Sequence, residues 1–259
     1  MEKYLNKGIK DVIIEHPTLE AILDDYDIGC GTCMVGTCLL KDIVKVHGLP
    51  PDTERALMSR ITKAIYPDAE IDVPEEDGKT QVERTFVYSP PIQILVDEHK
   101  LIKRLIALIP CITESLDLAT ESGRQLVLDG IDFIKTYADS FHHAKEEDLL
   151  FKYFDEDSEI VSAFHEDHVR ARDHVKNILE GVSDQDRVKV AEHLEAYNEL
   201  LQGHIKREDE ILYPWMDRNI SSEQEAELAS SFGEVADRFG DVNERYEAFV
   251  QRLEKSFLD

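Results

Sequence analysis

Two ten-residue phrases in this chain repeat one pattern. His142-His143-Ala144-Lys145-Glu146-Glu147-Asp148-Leu149-Leu150-Phe151 is matched by His204-Ile205-Lys206-Arg207-Glu208-Asp209-Glu210-Ile211-Leu212-Tyr213. In each, a His is followed four positions later by a Glu, then a second acid, then an apolar pair and an aromatic. On an α-helix, residues at i and i+4 are only about 40° apart around the axis. Each phrase therefore offers an imidazole nitrogen and a carboxylate oxygen to one region of space. Two such phrases facing each other supply a nitrogen and oxygen ligand set suited to a pair of metal ions. One His-x-x-x-Glu alone would be an ordinary helical side-chain pair. Two copies in one frame carry the argument.

These residues need helices to hold them, and the surrounding pattern provides them. From Pro90 to about Asn219 the apolar residues recur at helical spacing, in stretches of roughly 90–118, 124–154, 159–180 and 185–216. Ser89-Pro90-Pro91 supplies a start signal, with Ser89 as the expected cap, and Pro110 is expected to kink the first helix. The breaks at 120–123, 155–158 and 181–184 are short, so neighbours run antiparallel. The fold class that follows is all-α: an up-down-up-down four-helix bundle over 90–218, preceded by a small helical Cys-rich domain over 1–65 and a linker over 66–89. Residues 219–259 read as a C-terminal amphipathic helix, with Gly240 as a candidate break.

The ligand set extends to the other two helices. Asp97-Glu98-His99 resembles Glu166-Asp167-His168 in kind. His99 and His142 lie about 22 and 21 residues from the first break, so equal arms bring them to one level at a rise of ~1.5 Å per residue. The expected metal ligands are His99, His142, Glu146, His168, His204 and Glu208. Buried together without a cation, such a layer would be costly.

Residues 90–218 resemble the hemerythrin-like family, or HHE cation-binding domains. The resemblance rests on Glu98-His99, His142-x-x-Lys145-Glu146-Glu147-x-x-Leu150-Phe151, Asp167-His168-x-x-x-Arg172 and His204-x-x-x-Glu208-x-x-x-Leu212-Tyr213-Pro214. It implies a non-haem di-iron centre, with two carboxylates bridging two iron ions and the His completing each. His143 competes with His142, and the internal alignment selects His142, since His143 aligns with Ile205. Asp209 competes with Glu208: oxygen-carrying relatives use a His-x4-Asp spacing, whereas the parallel with Glu146 favours Glu208. His165 stands three before His168 and is a weaker candidate for a fifth imidazole. Four imidazoles would leave open positions on the metals and favour reaction with a small molecule over reversible oxygen carriage. His16, His47 and His193 read as turn, helix-end and surface residues, and His174 as an outer or surface residue.

Cys30-x2-Cys33-x4-Cys38 sits in a Gly-rich turn between two short helical patterns, the second at 39–46. The thiols suit a redox pair, zinc, or an iron–sulfur cluster, the last two needing a ligand from elsewhere. Cys111 reads as a core thiol. The segment from Pro17 to Ile28 and the following Cys resembles the small domain that precedes the bundle in repair-of-iron-centres proteins, and also small redox-disulfide domains. The repair proteins carry adjacent Cys; this chain separates them.

Composition limits the partners. With 55 acidic against 29 basic residues and a net charge of −26, a nucleic acid or anionic membrane would be repelled. No leader and no apolar run of the roughly 20 residues a bilayer demands is visible, so a cytoplasmic location is expected. The resemblance implies a role in nitrosative or oxidative stress, by iron–sulfur cluster repair or by reaction with NO or O2, with iron–sulfur proteins or a reductase as partners. An O2- or NO-binding sensor that signals through the Cys domain is the alternative. Whether the chain is an enzyme, and whether it forms a homodimer, stay open at this level.

Overall fold

A computed structural model describes residues 2–26, 28, 39–41, 43, 47, 49–71, 87–155 and 159–258. Their regular structure is helical, with one isolated antiparallel bridge between Gly8 and Leu39. They fall into two compact units: residues 1–87 together with 210–216, and residues 88–209 together with 217–259. Among the described residues no helix is long and apolar enough to cross a membrane.

The first unit contains α1 (Glu2–Leu5), α2 (Ile9–Glu15), α3 (Thr18–Asp24) and α4 (Pro51–Ile65). Ile9, Val12, Leu19, Leu23, Leu57 and Ile61 form the centre of its core. Each such side chain, fully buried, contributes ~1.5–3 kcal/mol. α4 begins at Pro51, where a proline at the first helical position needs no N–H partner. Cys30, Cys33 and Cys38, and residues 42 and 44–46 of the helix expected over 39–46, lie outside the described residues.

The second unit carries the bundle. Its first helix is α5 (Pro90–Ala107), followed after a break at Leu108 by α6 (Ile109–Ser115), with Pro110 in the opening turn of α6. The kink thus falls where the missing proline N–H requires it. Ser89 does not cap α5 with its hydroxyl; the hydroxyl and the backbone N–H of Ser89 both donate to Asp217.

The second bundle helix opens as α7 (Glu121–Phe133), capped by Thr120, whose hydroxyl accepts from Gly123 N–H at 3.1 Å. From Ile134 to His143, and again from Glu146 to Leu150, it is π-helical. α8 (Glu159–Asp184) is the third helix and α9 (Arg187–Arg207) the fourth. The turn between them uses Gln185 at φ 55° and Asp186, whose carboxylate caps α9 by accepting from Lys189 N–H at 3.0 Å. Next in sequence come a π-helical segment, Glu208–Leu212, and α10 (Tyr213–Asn219), of which residues 210–216 belong to the first unit.

The tail is two helices. α11 (Ser222–Phe239) begins with a capping box between Ser221 and Gln224, and Gly240 ends it at φ 59°, a left-handed conformation that favours glycine. α12 (Val242–Phe257) packs Tyr246 and Phe249 on Phe133, with ring centroids 5.1 and 6.4 Å away. Arg104 of α5 holds α12 by paired hydrogen bonds to Glu247 and Glu254.

Candidate metal centre

All four bundle helices turn one imidazole into a single buried layer. His99 comes from α5, His142 from the first π-helical segment, His168 from α8 and His204 from α9. Each is at most 1% exposed, and Glu146 and Glu208 are fully buried beside them.

The imidazoles form two pairs. His99 Nε2 lies 2.9 Å from His142 Nε2, and His168 Nε2 lies 3.0 Å from His204 Nε2. Glu208 spans the pairs, with Oε2 3.2 Å from His99 Nε2 and Oε1 3.0 Å from His204 Nε2. Glu146 spans them the other way, with Oε2 3.8 Å from His142 Nε2 and 3.6 Å from His168 Nε2. Both oxygens of Glu208 are buried without a hydrogen bond of acceptable geometry. Nitrogen and oxygen lone pairs that converge in this way, in a site this buried, fit metal cations.

The outer nitrogens form a ring of braces. His142 Nδ1 lies 2.9 Å from Glu98, His168 Nδ1 2.6 Å from Glu147, His204 Nδ1 3.4 Å from Asp167, and His99 Nδ1 2.7 Å from Asp209. Each helix thus supplies a carboxylate to the imidazole of the next, and the fourth returns to the first. A carboxylate that accepts from Nδ1–H leaves Nε2 facing inward and raises its basicity.

The scan of family models matches residues 90–216 to the hemerythrin HHE cation-binding domain. These residues are a hemerythrin HHE domain. No curated protein and no solved structure was found to match the chain.

The HHE layer contains a fifth imidazole that the sequence alignment set aside. His143 is 3% exposed and stacks on His168 with ring centroids 3.9 Å apart and planes 16° apart. It can reach a common ion with His168 and His204, or with His142 and Glu146. The buried layer thus holds His143 beside the four imidazoles expected from the sequence. The physical reason is the π-helical backbone that ends at His143: i→i+5 bonding widens the turn, and two consecutive side chains face the core. The adjacent His142-His143 and Glu146-Glu147 pairs were the available signal.

His165 is different. It sits near Glu147 and His168, edge-on to Phe151 at 5.4 Å, on the outer side of the layer. Asp209 braces His99 and also bonds Lys103, whereas its neighbour Glu208 points inward. His193, expected at the surface, is half-buried and faces His174 at 3.0 Å between Nδ1 atoms. His16 bonds the Tyr4 hydroxyl at 3.1 Å, and Cys111 is half-buried rather than in the core.

Electrostatics in the HHE domain follow the pairing. Burial lowers the proton affinity of His204, but Glu208 and Asp167 outweigh it and raise its pKa to about 9. His99 is raised in the same way, against its burial, by Asp209 and Glu208. Their partners go the other way: burial and neighbouring imidazoles push His142 and His168 well below the ordinary range. One imidazole of each pair, His204 and His99, therefore holds its proton more tightly than an ordinary imidazole does. Burial pushes Glu98 up to about 7 despite Lys145, itself buried and ion-paired to Glu98.

Proposed function

We propose that the HHE domain holds two iron ions and is a non-haem di-iron centre that reacts with a small diatomic molecule, NO or O2. The observation that supports this is the double span: Glu146 and Glu208 each reach an imidazole of both pairs. His99 and His142 would hold one iron; His168 and His204, with His143 as a third imidazole, the other; Glu146 and Glu208 would bridge. Iron bound there supplies redox chemistry and polarises a ligand at an open position. The protein residues orient the imidazoles through the four carboxylate braces and exclude bulk water from the layer. With His143 the layer would offer five imidazoles to the two ions, one more than the four expected.

In this reading the thiols of Cys30, Cys33 and Cys38 exchange electrons with the centre or hold an iron–sulfur cluster, and the role is in nitrosative or oxidative stress, including repair of iron–sulfur clusters. The resemblance of the Cys segment supports that part. The alternative is a sensor in which a stable O2 or NO adduct changes the Cys domain.

The test is anaerobic iron loading with iron and sulfide quantification and Mössbauer spectroscopy. Two irons per chain, lost in a His142→Ala/His204→Ala double variant, are expected. Zinc in place of iron, or iron loading untouched by the double variant, would overturn the reading. Stopped-flow mixing with NO or O2 separates turnover from a reversible adduct.

A further inference from the structure

Beside the imidazole layer the second unit has a cavity of about 370 Å³. His143 and His168, both buried, form its inner end. Ala171, Val175 and Leu179 recur at i, i+4 and i+8 on α8 and make one apolar wall, with Ile134 and Tyr197 opposite. A single buried water needs only ~10–15 Å³ of such space, so this cavity has room for many. That is far beyond what a diatomic molecule fills, and it falls in the ~300–1,000 Å³ range of organic ligand sites.

Charge at the mouth selects the kind of ligand. Asp139 is bonded by Arg172 at 2.9 Å, and Glu180 by Lys189 at 2.9 Å. Arg172 also bonds Glu147 at 2.8 Å. Lys135 and Lys176 are exposed and make no ion pair among the described residues. Four cations, Arg172, Lys189, Lys135 and Lys176, meet three carboxylates, Asp139, Glu147 and Glu180, at this opening, with Lys176 also acting on Glu180. That leaves the opening net cationic by one charge in a chain of net charge −26. The apolar surface lies inside and the cations lie outside.

We propose that this cavity binds a small amphipathic carboxylate, its head group at Lys135 and Lys176, its hydrocarbon body along Ala171, Val175 and Leu179, and its tip against His143 and His168. The inference rests on the di-iron reading only for what lies behind those two imidazoles. Binding itself needs the cavity and the lysines. A bound body of this kind would close one approach to the imidazole layer from solvent.

The experiment is calorimetric titration of the full chain with octanoate, in metal-free and iron-loaded forms, with octan-1-ol as a neutral control. Saturable binding of one octanoate per chain in both forms is expected. A Lys135→Glu/Lys176→Glu variant should weaken octanoate at least tenfold and leave octan-1-ol unchanged. Ala171→Trp should weaken both ligands at least tenfold, with helical circular dichroism retained; Val175→Phe serves if that variant does not fold. Absence of saturable octanoate binding in the metal-free and iron-loaded forms, or equal binding by the charge-reversed variant, overturns the proposal. Iron loading without octanoate binding overturns the cavity alone; octanoate binding without iron loading leaves it standing and removes the di-iron reading.

Discussion

His143 lies flat on His168, ring centroids 3.9 Å apart and planes 16° from parallel. The stack joins a residue on the second bundle helix to one on the third, and it holds His143 within the buried imidazole layer. If it donates to a metal, His143→Ala should lower the iron content from two towards one per chain, or weaken the second iron ~10–100-fold. His165→Ala, a change outside the layer, should leave the iron content as it is. Equal iron loading in wild type and His143→Ala would remove His143 from the ligand set.

Glu208 and Asp209 are neighbours with different tasks. Glu208 is fully buried and spans the two imidazole pairs; Asp209 braces His99 from outside. Glu208→Ala should abolish loading of the pair of irons. Asp209→Ala should retain two irons with affinity reduced ~10–100-fold, the usual range for a residue that orients a ligand. Competitive chelation measures both, and the reverse ranking would make Asp209 the bridge.

Lys145 and Glu98 form a buried ion pair, with Lys145 Nζ 3.3 Å from the Phe141 ring centroid. Removing one partner of such a pair strands the other charge and costs ~3–5 kcal/mol. Lys145→Met should therefore destabilise the metal-free chain by about that amount in urea. Adding Glu98→Gln should recover part of the loss, because the stranded carboxylate is gone. A Lys145→Met variant as stable as wild type would show that Glu98 is neutral in the folded protein.

Loading should release protons. His204 holds its proton up to about pH 9 against an ordinary value of 6.5, and His99 is shifted the same way. A raised folded value stabilises the metal-free fold fully below about 6.5, and that contribution is lost as pH rises through about 9. Metal must displace the same proton, so apparent affinity should climb across that window. Titration of iron(II) into weakly buffered protein at pH 7 should acidify the solution. No proton release, with affinity flat from pH 6.5 to 9, would contradict the assignment of protons to His99 and His204.

Much of this was legible in the residues. The His-x-x-x-Glu repeat picked out His142 with Glu146 and His204 with Glu208, because an i,i+4 pair shares a face whatever surrounds it. Proline and glycine marked the break near Pro110 and the end of α11 at Gly240, since both act through their own backbone. His143 was legible only as a competitor of His142, with Glu147 four residues on; that both imidazoles face the core depends on i→i+5 bonding that the spacing does not demand.

The sequence by itself determined that the chain would build helices carrying His and acid at one level. It also placed an acid beside each ligand position: Glu98 by His99, Glu147 by Glu146, Asp167 by His168 and Asp209 by Glu208. Only the tertiary structure decided what those second acids do. Each reaches across to the imidazole of the next helix, in a closed ring from α5 through the π-helical segment, α8 and α9 and back. Adjacent helical residues point in directions about 100° apart, so one of each pair faces the centre and the other faces a neighbouring helix. Which neighbour it meets is a property of packing, and packing is not written in the spacing along any one helix.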